Sequence, residues 1–116
     1  MSDVIIYHNP RCSKSRQTLK LLEGRGLNPR IVPYLKEPPD VDELACILGM
    51  LGMNPIDLIR KGEDEYEELR LEEKKDNHPE LLKQMVAHPI LIERPIVVRG
   101  NKARIGRPPE SVLEIL

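Results

Sequence analysis

Residues 3–12 read Asp-Val-Ile-Ile-Tyr-His-Asn-Pro-Arg-Cys, and this stretch decides the fold. The apolar run within residues 3–8 predicts a short buried strand, which Asn9-Pro10 ends. A helix is expected to begin near Cys12 or Ser13 and to end around the glycines at positions 24 and 26. The chain therefore opens with a strand, a tight turn and a helix, and a cysteine lies where the helix begins.

The remaining elements follow from the same kinds of signal. Ile31-Val32 predicts a second strand, parallel to the first, and Pro33 places it at a sheet edge because proline cannot donate a ladder hydrogen bond. Three helices are then expected, beginning at Asp40, Asn54 and Asn77. A hairpin over residues 95–105 and a closing helix from Pro108 complete the chain.

This order of elements predicts the fold class. A strand, a helix and a strand, followed by helices, a β-hairpin and a final helix, is the arrangement of a thioredoxin-like α/β fold. We expect a four-stranded mixed sheet flanked by helices, with a helical insertion at about residues 40–88. The length of 116 residues suits a single domain that spans residues 1–116.

Composition narrows the class of function. No apolar run approaches the ~18 residues of a membrane span, and the N-terminus lacks a signal-peptide pattern, so we expect a cytoplasmic protein without a membrane partner. The net charge of -1 gives no general attraction for nucleic acid. Basic residues nevertheless form two groups: three surround Cys12, and five occur from Arg94 to Arg107 with no acidic residue among them. If the fold brings these groups together, they can bind an anion.

Cys12 is the candidate nucleophile. At a helix N-terminus the free N–H groups and the positive end of the helix dipole stabilise a thiolate, and His8 and Arg11 can add charge or hydrogen bonds. The Ser13 and Ser15 hydroxyls in the same turn are candidates for holding an oxyanion. The alternative is a small buried cysteine that only packs.

The second cysteine, Cys46, is too distant in sequence to form a CxxC pair with Cys12. It lies beside the predicted apolar stripe of a helix, which favours a packing role, and two cysteines make no disulfide framework. The three scattered histidines give no metal-ligand spacing, so no metal site is expected. A lone reactive Cys12 would therefore need an external reductant.

Four segments, in the same order along the chain, resemble the glutaredoxin-coupled arsenate reductases. The first is residues 7–16, which read YHNPRCSKSR. The others are residues 58–61, 88–98 and 104–110, which contain Arg60, Arg94 and Arg107 respectively. Together they extend over essentially the whole chain. Because the chain ends soon after the last segment, it is most similar to a short-chain subgroup of that family.

The resemblance implies a thioredoxin-like fold and a thiol mechanism that reduces arsenate to arsenite. Cys12 would attack arsenate, and the residue at the His8 position would lower the thiol pKa. The oxyanion and the thiol-linked intermediate would be bound by three arginines: Arg60, Arg94 and Arg107. Glutathione would be the co-substrate, glutaredoxin would resolve the mixed disulfide, and no cofactor would be bound. The resemblance also predicts a cis peptide bond at Arg94-Pro95.

Two other functions stay open from the sequence. A glutathione-dependent reductase of another substrate would need the same thiol. Spx-type transcription regulators share this fold and bind RNA polymerase, and they use a CxxC switch near the N-terminus. In this chain Ser15 stands three residues after Cys12, where that switch has its second cysteine, which disfavours the regulator class.

Overall fold

The computed structural model describes residues 3–116, whose strands form one mixed sheet in the order β2-β1-β3-β4. The strands are β1 (Val4–Tyr7), β2 (Arg30–Val32), β3 (Ile96–Arg99) and β4 (Lys102–Ile105). Strand β1 pairs in parallel with β2 and antiparallel with β3, and β3 forms an antiparallel hairpin with β4. The predicted four-stranded mixed sheet is confirmed, and the strand that precedes Pro33 lies at its edge.

Residues 3–37 and 94–116 form one compact unit, which contains the sheet and helix α1 (Ser13–Gly24). The chain closes with a 3₁₀ helix at Pro109–Ile115, which contacts α1 and β4. Pro109 is the first residue of this helix, a position where the missing backbone donor of proline is tolerated. One hydrophobic cluster of this unit contains six buried aliphatic residues: Val4, Ile6, Leu22, Val97, Val112 and Ile115.

Residues 38–93 form a second compact unit, which is helical. Its α-helices are α2 (Val41–Leu51), α3 (Pro55–Leu58), α4 (Asp64–Glu68) and α5 (His78–Ala87), and its 3₁₀ helices are Leu71–Lys74 and Pro89–Leu91. The Asp40 side chain accepts a hydrogen bond of 2.8 Å from the Glu43 N–H, so the predicted cap of α2 is confirmed. Helix α5 contacts α2 and α3.

This helical unit extends five residues beyond the predicted end of the insertion at residue 88. The reason is a short bridge between Ile59 and Ile92. On either side of it, the Arg60 N–H donates to the Leu91 carbonyl at 2.7 Å and the Glu93 N–H donates to the Leu58 carbonyl at 2.9 Å. That the two units make a single domain stays a prediction.

The packing role expected for Cys46 is wrong, because this free cysteine is exposed on α2. The buried face of α2 is formed by Leu44, Ile47 and Leu48. A residue two positions after Leu44 is turned about 200° around the helix axis, which directs Cys46 away from that face. Among residues 3–116, no helix is both long and apolar enough to cross a membrane.

Candidate active site

Cys12 is the N-cap residue of α1, with extended backbone angles of φ -93° and ψ 123°. Its N–H donates to the Asn9 carbonyl at 3.0 Å, which closes the turn after β1, and its own carbonyl accepts the Arg16 N–H at 3.0 Å. The side chain is 8% exposed. The turn therefore places a nearly buried sulfur at the N-terminus of the helix, where the first N–H groups have no carbonyl partner within the helix.

The pKa of the Cys12 thiol lies below its ordinary value as the result of opposing influences. Burial is the largest single influence and raises the pKa. The Ser15 backbone N–H and the charge of Arg94 act next, followed by the Lys14 backbone N–H and the charge of Arg107, and these four lower it. Since their sum outweighs burial, the site favours the thiolate, which is the nucleophilic form of cysteine.

Arg107 makes the direct contact with the sulfur. Its Nη2 lies 3.4 Å from the Sγ of Cys12, and its Nε donates to the Arg94 carbonyl at 2.7 Å. One guanidinium thereby links the thiol of α1 to the chain that leads into β3. The peptide bond Arg94-Pro95 is cis, which confirms that prediction, and Arg107-Pro108 is also cis.

His8 and Ser15 are paired with each other and do not both face the oxyanion position. The Nδ1 of His8 lies 2.6 Å from the Oγ of Ser15, and this Oγ also accepts the Asn9 N–H at 3.0 Å. Ser15 is 0% exposed, and its hydroxyl is held by His8 and Asn9, while its N–H reaches the sulfur. A contact between this hydroxyl and an oxyanion stays a prediction.

That the His8 position helps to lower the thiol pKa stays a prediction. Burial, and then the charge of Arg16, lower the pKa of the His8 imidazole below its ordinary value. The folded protein therefore disfavours the imidazolium, which leaves less positive charge on this ring to stabilise a thiolate. Its hydrogen bond to Ser15 instead fixes the turn that carries Cys12.

Arg60 belongs to the helical unit, where two carboxylates neutralise it. Its Nη1 lies 2.9 Å from Oε2 of Glu63, and its Nε lies 3.9 Å from Oε1 of Glu93. The sheet unit thus brings together Cys12, Arg94 and Arg107. Convergence of Arg60 on the same sulfur stays a prediction.

A groove of about 350 Å³ lies beside the cysteine turn and was not predicted. Residues 8–11 form one wall, and Pro33, Leu35 and Lys36 form the other. The segments that follow β1 and β2 meet there because the two strands are parallel and end at the same edge. The predicted β-α-β unit already implied that the segments after its two parallel strands lie at the same sheet edge. Arg11 and Lys36, which both line the groove, belong to these two segments.

Residues 7–115 match the sequence model of the ArsC family. The chain is 54% identical to the uncharacterized protein YfgD of Escherichia coli strain K12, with 97% of this chain and 96% of that protein covered. It is 51% identical to an arsenate reductase of Haemophilus influenzae, with 97% and 98% covered. A solved structure of an arsenate reductase from Vibrio cholerae superposes with a TM-score of 0.94 at 50% identity, over 97% of each chain. The thioredoxin-like fold is thereby confirmed.

Proposed function

This chain belongs to the ArsC family, and from that premise we propose that it reduces arsenate to arsenite with Cys12 as the nucleophile. The observation that carries the proposal is the 3.4 Å contact between Nη2 of Arg107 and Sγ of Cys12. A guanidinium in that position lowers the thiol pKa and lies where an oxyanion approaching the sulfur needs positive charge.

In the first step the Cys12 thiolate attacks the arsenic atom of arsenate. A sulfur–arsenic bond forms, and one arsenate oxygen leaves as water after taking up protons. Arg94 and Arg107 act on both the thiol and the arsenate. Their positive charges lower the thiol pKa, which favours the thiolate, and they attract the oxyanion to the sulfur. The N–H groups at the start of α1 add donors on the same side.

The proposed oxyanion ligands are therefore Arg94 and Arg107, each acting from the sheet unit. We keep Arg60 as a third ligand because of the family alone. Ser15 contributes its N–H, and its hydroxyl positions His8. His8 is in this proposal a positioning residue for the cysteine turn.

The second half of the reaction needs two electrons, and two thiol sulfurs supply them by becoming a disulfide while arsenic(V) becomes arsenic(III). The residue three positions after Cys12 is Ser15, so the chain has no CxxC partner for this step. We propose glutathione as the thiol co-substrate and glutaredoxin as the protein that reduces the resulting mixed disulfide. Such a cycle depends on reduced thiols, so we place the protein in the cytoplasm.

We propose the groove beside Cys12 as the site for glutathione. Two of its lining residues, Arg11 and Lys36, are exposed cations, while Pro10, Pro33 and Leu35 make it largely apolar. Glutathione carries two carboxylates on a short flexible backbone, and a cation on each wall of the groove suits that pair of charges. One lining residue, Arg11, directly precedes Cys12 in the chain.

Arsenate turnover with glutathione and glutaredoxin tests the proposal. The wild-type chain and the Cys46→Ser variant should turn over arsenate equally, because Cys46 is an exposed cysteine on α2. The Cys12→Ser variant should be inactive. If the wild-type chain reduces a small disulfide under these conditions but leaves arsenate unchanged, the glutathione-dependent reductase of another substrate is the correct function.

A further inference from the structure

Gly106 is the residue that separates β4 from Arg107, and it is packed unlike the other glycines of the chain. A Cβ atom built on Gly106 would lie 2.5 Å from Oγ1 and 3.1 Å from Cγ2 of Thr18, and 2.8 Å from Cγ of Pro95. The other six glycines have no such neighbour within 4 Å. Space, and not a left-handed backbone, therefore requires glycine at this position.

The neighbours of Gly106 have little freedom to move away. Thr18 is 0% exposed, and its Oγ1 donates to the Lys14 carbonyl at 2.8 Å inside α1. Pro95 is buried, and its carbonyl accepts the Gly106 N–H at 2.9 Å. Gly106 thus fixes the closest approach between helix α1 and the two chain segments that carry Arg94 and Arg107.

That approach determines where Arg107 reaches. The guanidinium of Arg107 contacts the sulfur on α1 and the carbonyl of Arg94, which precedes Pro95. An extra methyl group at position 106 would push the start of the Arg107 segment away from Thr18, and so away from the N-terminus of α1. We infer that Gly106 is a positioning residue, which sets the distance between Arg107 and the Cys12 sulfur through its contacts with Thr18 and Pro95.

The inference rests on the proposed function for its biological role, but its test does not use arsenate. The readout is the pH dependence of Cys12 alkylation by iodoacetamide, measured in a Cys46→Ser background so that one thiol reacts. In the Gly106→Ala variant the thiol pKa should rise, with roughly three- to tenfold less thiolate at a pH below the pKa. Failure of arsenate turnover would leave this result unaffected, so the two proposals fail separately.

Matched variants distinguish positioning from general damage. Gly24→Ala, at the end of α1 where a Cβ meets open space, should leave the alkylation profile unchanged. Adding Thr18→Ala to Gly106→Ala removes both threonine atoms that the new methyl meets but leaves Cγ of Pro95 at 2.8 Å, so it should restore part of the low pKa. Thr18→Ser keeps Oγ1, the nearest atom, and should restore less.

Three outcomes would overturn the inference. The first is a folded Gly106→Ala variant with the wild-type alkylation profile. The second is a folded double variant in which Thr18→Ala brings no recovery. The third is loss of folding in both the single and the double variant, which would make Gly106 a requirement of folding and not of Arg107 placement.

Discussion

Nη2 of Arg107 lies 3.4 Å from Sγ of Cys12, although the two residues are 95 positions apart in sequence. The chain achieves this by ending β4 next to the N-terminus of α1 and by holding the Arg107 Nε on the Arg94 carbonyl at 2.7 Å. The contact places a cation from the C-terminal basic group of the sequence, residues 94–107, on the sulfur. Its consequence is a thiol whose pKa lies below the ordinary value despite burial.

Removal of the Arg107 side chain should therefore affect both the reactivity of the thiol and the binding of the oxyanion. Arg107→Ala is expected to raise the Cys12 pKa and to lower kcat/KM for arsenate roughly 10- to 100-fold, the usual size of a lost hydrogen bond to a charged group. Arg107→Lys should recover part of this, since an ammonium restores charge without the paired donors. Arg104→Ala is the control, because Arg104 is paired with Glu114 at 3.1 Å. Equal kcat/KM in the two alanine variants would contradict the site.

The Ser15→Ala variant should distinguish the effect of the Ser15 backbone N–H from that of its hydroxyl. Ser15→Ala retains the N–H that lowers the Cys12 pKa but removes the buried partner of His8 and Asn9. Its free energy of unfolding should fall by about 1–3 kcal/mol, while the alkylation profile of Cys12 should change less than in Arg107→Ala. Chemical denaturation and alkylation measure the two effects. A variant of normal stability that no longer binds arsenate would instead support the direct hydroxyl contact predicted from the sequence.

The lowered pKa of His8 should appear in the pH dependence of stability. The folded state disfavours the imidazolium form of His8. As the pH falls through the ordinary histidine pKa of ~6.5, His8 therefore takes up a proton in the unfolded chain before it does so in the folded protein. The free energy of unfolding should decrease from there until the folded-state pKa is passed, and then level off. The His8→Asn variant keeps a hydrogen-bond acceptor near Ser15 but has no imidazole to titrate. Its free energy of unfolding, measured by denaturation between about pH 7.5 and 5, should therefore lack the decrease that His8 causes in the wild type. An unchanged pH dependence would show that His8 does not titrate as described.

Local signals in the sequence predicted the elements, but not the contacts between them. Pro33 indicated an edge strand and Asp40 a helix cap, because each acts on the backbone next to it. The His8–Ser15 pair joins the end of a strand to the first turn of a helix, and its geometry depends on the turn between them. No local rule states that a serine three residues after the cysteine faces back toward the strand.

The helical unit and Cys46 differ in how far periodicity could describe them. The bridge between Ile59 and Ile92, near the end of the unit at residue 93, is a non-local pairing, which periodicity does not detect. The exposure of Cys46, in contrast, follows from the helical period once Leu44, Ile47 and Leu48 are taken as the buried face. Arg60 shows the limit of a motif: the residue is where the family resemblance expects it, yet its partners in the helical unit are Glu63 and Glu93.

The groove beside Cys12 gives the last prediction, which concerns the reductant. If Arg11 and Lys36 bind the carboxylates of glutathione, Arg11→Ala and Lys36→Ala should each raise KM for glutathione roughly two- to fivefold, as expected for exposed charge pairs. Added salt should reduce the difference from the wild type, since it screens such pairs. The KM for arsenate should not change, because neither cation is among the charges that act on the sulfur.

Two controls test this prediction: an uncharged thiol as the reductant, and a cation that does not line the groove. With 2-mercaptoethanol as reductant, both groove variants should behave as the wild type, because that thiol has no carboxylate to bind. Lys20→Ala, an exposed cation on α1 that does not line the groove, should leave the glutathione KM unchanged. If all three alanine variants raise KM for glutathione equally, the general charge of the protein attracts the peptide and the groove is not its site. If none does, glutathione reaches Cys12 from another direction, and the 350 Å³ groove has no part in the reduction of arsenate.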